Sequence, residues 1–248
     1  MNGREMTVTD QKAYTRVTTG TPGFDDLVEG GLIEDRLYIL SGPPGSGKTT
    51  FSAQFITEGA RQGENSLFMS MHENRAELVH DMASYDFGFD RAMESNRVKF
   101  LNIFDERTKN LLSSPRENDY PSGVDRLVNK LTSFVESQGI ERMVIDSTMV
   151  LEYLFPNDED VAMQFLAALK QVDVTTLLIS EMRDPTSYTE AQYLAHGVFF
   201  LHNYLESSSM TRGMQVIKMR GTSIDCDIYE ASFSDSGITV HSDRKVKS

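Results

Sequence analysis

From Leu37 onward the chain alternates short apolar runs with stretches whose apolar residues recur at helical spacing. The runs are Leu37-Tyr38-Ile39-Leu40, Leu67-Phe68-Met69, Val98-Lys99-Phe100-Leu101, Met143-Val144-Ile145 and Thr176-Leu177-Leu178-Ile179. Each is too short for a helix and is bounded by polar residues, so each predicts a strand. Amphipathic stretches near Thr49–Arg61, Arg75–Tyr85, Val124–Glu136 and Val161–Lys170 predict the helices between them. That alternation predicts an α/β domain with a mostly parallel sheet flanked by helices. Phe104–Ser122 carries Pro, Ser, Asn and Asp clusters and predicts a long surface loop. After Gly197 the pattern changes. Val198–Leu205, Met214–Arg220, Asp227–Phe233 and Ile238–His241 are strand-like with no helix between them, which predicts antiparallel strands extending the sheet. Residues 1–16 are polar and aperiodic, and are expected to form a mobile tail ahead of one domain spanning 17–248.

Composition narrows the partners. The 248 residues are 39% hydrophobic and carry a formal charge of −13, ordinary for a globular chain but acidic. No apolar run approaches the roughly 18 residues that a bilayer span needs. The polar start lacks the apolar core of a signal peptide, so a cytoplasmic protein without membrane contact is expected. An acidic surface repels nucleic acid and anionic lipid. The single cysteine, Cys226, cannot form an internal disulfide, and reads as a strand residue. The histidines show no metal-ligand spacing.

The chemistry enters at Gly42-Pro43-Pro44-Gly45-Ser46-Gly47-Lys48-Thr49, which matches G-x-x-x-x-G-K-[ST] between an apolar strand and a helix. The glycines let the backbone curl so that successive N–H groups point at phosphate oxygens. The helix that follows, with Thr50 in its first turn, adds its positive end. Lys48 is placed to neutralise the β and γ phosphates, and the Thr49 hydroxyl to ligate Mg²⁺. Met143-Val144-Ile145-Asp146-Ser147 supplies the partner: a strand ending in an acid, Asp146, that holds the magnesium through water. Because Ser147 and not Glu follows Asp146, the general base is expected from a neighbouring strand end. ATP and Mg²⁺ are the expected cofactors.

With these residues in place the chain resembles the RecA superfamily of P-loop NTPases, and within it the KaiC-like ATPases, as a single domain. The similarity runs from about Thr18 to His241. It includes Thr21-Pro22-Gly23-Phe24-Asp25-Asp26-Leu27, the Thr176–Glu181 strand, and Val216-Ile217-Lys218-Met219-Arg220-Gly221-Thr222-Ser223. The resemblance implies that Lys218 and Arg220 project towards the γ-phosphate held by a neighbouring subunit, in a hexameric ring or a filament. Placed i and i+2 on a strand, the two cations face the same side. The resemblance also exposes a departure. Relatives usually end the second core strand with Glu-Glu, the first glutamate being the base, whereas here His72 takes that position and Glu73 matches the second. An imidazole beside a triphosphate lacks the carboxylate's charge, which predicts ATP binding with slow or residual hydrolysis, carried by Glu73 or His72. His196 stands where relatives commonly carry Asp, and is expected to end a short helix.

The leading expectation is therefore a self-associating regulatory ATPase with a protein partner of unidentified kind. One alternative is a non-hydrolysing, nucleotide-dependent scaffold. The other is a RecA-like recombination accessory protein binding single-stranded DNA. The loops near Thr148–Asp160 and Arg183–Gln192 would have to line its channel. They set Arg183 against Glu152, Asp158, Glu159, Asp160, Asp184 and Glu190, a balance that argues against DNA.

Overall fold

The computed structural model describes residues 14–71, 73–106, 108, 123–149, 151, 160–181, 184–186, 190–206 and 209–246. Nearly every apolar run becomes a strand within a residue or two of its expected bounds. The parallel strands are β3 (Leu37–Ser41), β4 (Asn65–Ser70), β5 (Val98–Asn102), β6 (Ile140–Asp146) and β7 (Thr175–Ser180). The helices between them are α2 (Lys48–Gln62), α3 (Arg75–Met82), α4 (Phe89–Glu94), α5 (Gly123–Gln138) and α6 (Val161–Leu169). A short α7 (Glu190–Leu194) precedes β8 (Gly197–Glu206), β9 (Ser209–Met219), β10 (Ile228–Ser234) and β11 (Gly237–Lys245).

One sheet takes nine of these strands in the order β11-β10-β9-β8-β3-β7-β6-β4-β5. The pairs from β8 through β3 to β5 are parallel, and β8 to β11 are antiparallel, as the change of pattern after Gly197 predicts. Alternation along a strand sends successive side chains to opposite faces. Tyr38 and Leu40 accordingly join the apolar cluster under α2 and α4, while Leu37 and Ile39 join the one under α5 and α6. Helices on both faces explain why the central strands read as unbroken apolar runs.

Two elements differ from expectation. Arg16, placed at the end of the tail, instead pairs with Ile33: β1 (Arg16–Val17) and β2 (Leu32–Ile33) form a small separate sheet flanking α1 (Phe24–Leu27). Its guanidinium donates to the carbonyls of Val28 and Gly31 and pairs with Glu29, contacts distant in sequence that two-residue strands give no periodicity to reveal. Cys226 lies in the loop before β10, exposed, and not in a strand. The expected loop Phe104–Ser122 falls mostly outside the described residues, as does the tail before residue 14. Among the described residues no helix is long and apolar enough to cross a membrane.

A buried arginine ties the layers together. Arg142 on β6 is fully buried, donating through Nε and Nη2 to Glu64 and through Nη1 to the Thr18 carbonyl at 2.6 Å. The pair therefore pins the end of α2 and the N-terminal segment onto the sheet.

Candidate functional site

The phosphate loop leaves β3, the strand paired on both sides in the middle of the sheet, and runs directly into α2. Its glycines are needed where they stand. Gly47 has φ 102°, and a Cβ there would meet the Phe233 ring at 2.3 Å. Gly42 has φ 150°, and its Cβ would meet the Leu201 carbonyl oxygen at 2.4 Å. No side chain caps the N-terminus of α2, and its first turn carries no acid. The free N–H groups of a 15-residue helix, with Lys48, Thr49 and Thr50 leading, are thus left facing the loop. Ser46 is buried inside the cradle, its Oγ without a hydrogen-bond partner.

Lys48 curls back onto this loop, Nζ donating to the carbonyls of Gly42 at 2.8 Å and Pro43 at 3.0 Å. Burial pushes its pKa below the usual lysine range, and the charges of Glu181 and Asp146 work against that. Thr49 Oγ1 donates to Asp146 Oδ2 at 3.1 Å, so the expected magnesium ligands are adjacent. A hydroxyl and a carboxylate beside a phosphate-binding loop are the hard oxygen donors that Mg²⁺ prefers, with phosphate and water completing its shell.

Two cavities flank the loop. One of about 230 Å³ is lined by Lys48 and Thr49 together with Ser70, Glu73, Asp146 and Glu181. Of the expected base candidates, Glu73 is therefore in the site, its N–H donating to Ser70 Oγ and its carbonyl accepting from Asn102 Nδ2. His72 lies outside the described residues. The other cavity, about 490 Å³, opens beside Gly45, Gly47 and Thr50 and is walled by Tyr85, Arg212 and Phe233. Arg212 stacks on the Phe233 ring at 4.7 Å and leaves Nε without a partner. Sequence reasoning missed Arg212 and Phe233, which come from strands more than 160 residues after the loop and carry no motif.

Lys218 and Arg220 are not at this cavity. Through β8 their strand is level with the start of β3: Ile39 pairs with Val198 and Val198 with Lys218, while the Arg220 N–H meets the His196 carbonyl. At about 3.3 Å per residue they fall roughly 10 to 17 Å short of Gly42, two strands away. Both face the same side, as their spacing predicts. Lys218 Nζ donates to the carbonyls of Gln192, Tyr193 and Ala195, and Arg220 Nη2 to that of Tyr193. Burial and the neighbouring Arg220 and Lys170 charges push the Lys218 pKa down to about 8. His196, just beyond α7, accepts the Leu37 N–H through Nδ1 at 3.2 Å. Burial, then the charges of Lys170, Arg36, Arg220 and Lys218, hold it neutral with a pKa near 4.

A parallel sheet whose central strand leads through a glycine loop into a lysine-headed helix defines a P-loop NTPase of the RecA-like type. The family model described as "ATPase: KaiC" matches residues 17–245, and the chain belongs to that family. It is 29% identical over 247 residues to a UPF0273 protein of Aeropyrum pernix, covering 94% of this chain and 96% of the relative. It is 24% identical to the circadian clock oscillator protein KaiC of Prochlorococcus marinus, covering 97% of this chain but 48% of that protein, about half its length. Among solved structures, a KaiC-like protein from Pyrococcus horikoshii superposes with a TM-score of 0.75 at 27% identity, over 92% of this chain and the whole of that one.

Proposed function

We propose that this protein binds ATP with magnesium and hydrolyses it slowly, as a self-associating regulatory switch in which Lys218 and Arg220 complete the nucleotide site of a neighbouring copy. The observation that carries the nucleotide reading is the cradle: an uncapped helix N-terminus, an orphaned Ser46 hydroxyl, and Lys48 held, among the described residues, by loop carbonyls. A triphosphate arriving there exchanges those carbonyls for phosphate oxygens, which a buried ammonium satisfies better. Thr49 and Asp146 would hold the magnesium, which supplies charge neutralisation between the β and γ phosphates. The 230 Å³ cavity would take the terminal phosphate and the attacking water, and the 490 Å³ cavity the nucleoside. Arg212 and Phe233 offer the latter a cation and a ring face.

Self-association is supported by position. Lys218 and Arg220 sit too far from their own phosphate loop to serve it, and present their charges at the other end of the sheet. Nucleotide binding and phosphate release measured in parallel on one preparation test the enzyme, and light scattering with and without ATP–Mg tests the assembly. A strict monomer at high concentration in both conditions would refute action in trans. The non-hydrolysing scaffold is the second reading, favoured by His72 at the base position, and multi-turnover phosphate release separates the two. The DNA reading is opposed by the acidic loops near 148–160 and 183–192, much of which lies outside the described residues.

A further inference from the structure

The 230 Å³ cavity holds a carboxylate to which neither the motif nor the resemblance gives a role. Glu181 directly follows β7 and shares the cavity with Glu73 and Asp146. The sheet order ranks the strands that carry these acids by their lateral offset from the strand that feeds the loop. β7 pairs with β3 itself, β6 is one strand further out, and β4 one beyond that. With strands about 4.8 Å apart, Glu181 is offset from the loop strand by about 5 Å, Asp146 by about 10 Å and Glu73 by about 14 Å. The register agrees: Ser41 pairs with Ser180, so Gly42 and Glu181 leave the sheet side by side.

The three acids are also differently engaged. Asp146 accepts from Thr49, the hydroxyl that sits beside it for magnesium. Glu73 is fixed through both its backbone N–H and its carbonyl. Glu181 accepts no hydrogen bond among the described residues, and its side chain is exposed to the cavity. Glu181 and Lys48 line the same cavity. It is therefore the acid that the strand next to the loop strand brings into the cavity with the lysine that would grip the terminal phosphate.

We propose that Glu181 is a further catalytic residue, facing the terminal phosphate beside Lys48 and taking the proton of the water that attacks it. The inference rests on the reading of this cavity as an ATP site. In the step it serves, the water oxygen bonds to the γ-phosphorus as the bond from that phosphorus to the β,γ-bridging oxygen breaks. The bridging oxygen keeps the electron pair and leaves on ADP. The water proton passes to the Glu181 carboxylate and then to solvent, leaving ADP and inorganic phosphate.

A carboxylate in that place also repels the γ-phosphate, which gives a readout independent of turnover. Glu181→Gln removes one like charge opposite the terminal phosphate and leaves the seats of the α and β phosphates alone. Equilibrium binding of fluorescent ATP and ADP analogues with magnesium, and single-turnover hydrolysis, are measured for wild type, Glu181→Gln and Glu73→Gln. For Glu181→Gln the expected result is ATP binding tightened about threefold relative to ADP, with hydrolysis reduced about 100-fold, within the usual worth of a general base. The proposal is overturned if ATP and ADP affinities shift together. Hydrolysis by Glu181→Gln within about twofold of wild type while Glu73→Gln has none also overturns it, as does a wild type that binds both nucleotides and turns over neither. A wild type that binds no nucleotide overturns the ATP reading instead.

Discussion

The two ends of the parallel strands carry opposite chemistry on one sheet. At the carboxyl ends, Glu73, Asp146 and Glu181 line a cavity with one ammonium among the described residues, Lys48, which donates to loop carbonyls. At the amino ends, burial and then the charges of Lys170, Arg36, Arg220 and Lys218 keep the His196 imidazole neutral. Arg36 even donates to the Arg220 carbonyl at 2.7 Å and stacks under Tyr14, so the cations are tied into one patch. In a chain of net charge −13, gathering this many cations at one end has a cost in self-repulsion. The contrast shows where the proposed completion of the site by a neighbouring copy would have to come from. Among the described residues Lys48 is the one cation lining the 230 Å³ cavity, while Lys218 and Arg220 lie towards the amino end, away from the phosphate loop. Such a pair of faces supports a head-to-tail contact between copies, as proposed above.

The largest effect should come from breaking the carboxyl end. Lys48→Ala is expected to abolish detectable binding of a fluorescent ATP analogue, at least a 100-fold loss for a charge-assisted phosphate contact. Wild-type affinity in a folded variant would sink the phosphate-loop assignment. Breaking the amino end should act differently. Arg220→Ala is expected to leave ATP affinity in dilute solution unchanged while cutting turnover in the assembled state about 100-fold or more, in the manner of an arginine supplied in trans. A matching loss of affinity in the monomer would place Arg220 at its own site and collapse the contrast.

A third substitution sharpens the carboxyl end. His72→Glu restores an ionised acid at the end of β4, and is expected to raise kcat about tenfold or more. An unchanged rate would show that the carboxylates already in the cavity suffice. The smallest effect concerns the neutral imidazole. His196 has its pKa lowered from 6.5 to about 4, so the unfolded chain takes up a proton that the folded protein refuses. Its contribution to stability is present above about pH 6.5 and is lost as pH falls towards 4. His196→Asn should flatten the fall in urea midpoint between pH 7 and pH 5. An equally steep decline in the variant would assign the acid limb to other groups.

The two ends were unequally legible in the sequence. Gly42–Thr49 and Asp146 could be found because a phosphate cradle is local: consecutive residues build it, and spacing alone records them. Lys218 and Arg220 could be placed on one face by their alternation, but the carbonyls that hold them come from a helix end more than 20 residues earlier. Glu181 was quoted only as a strand end, since a lone acid after an apolar run looks the same whether or not a cavity opens beside it. Arg142 was missed because a charge inside β6 reads as an outward-facing position, and its burial is made tolerable by Glu64 and the Thr18 carbonyl, both distant in sequence. The short β1, β2 and α4 lack the length over which a period can be counted. The parallel strands, by contrast, were legible to within about three residues because helices cover both faces of that part of the sheet. Strand β9 begins five residues before its expected start, and β11 ends four residues after its expected end.

Because Lys218 and Arg220 sit at the far end of the sheet from Gly42, any assembly of the proposed kind has a direction. In an open row, the copy at one end offers its cations to nobody, and the copy at the other end holds a nucleotide that nobody answers. Each break in the row silences one site, so activity per subunit counts ends and not mass. Closing the row into a ring removes both ends at once and makes every copy donor and recipient. The same protein would then turn on abruptly as its concentration crosses the point of closure, with no change in any single subunit's affinity for ATP.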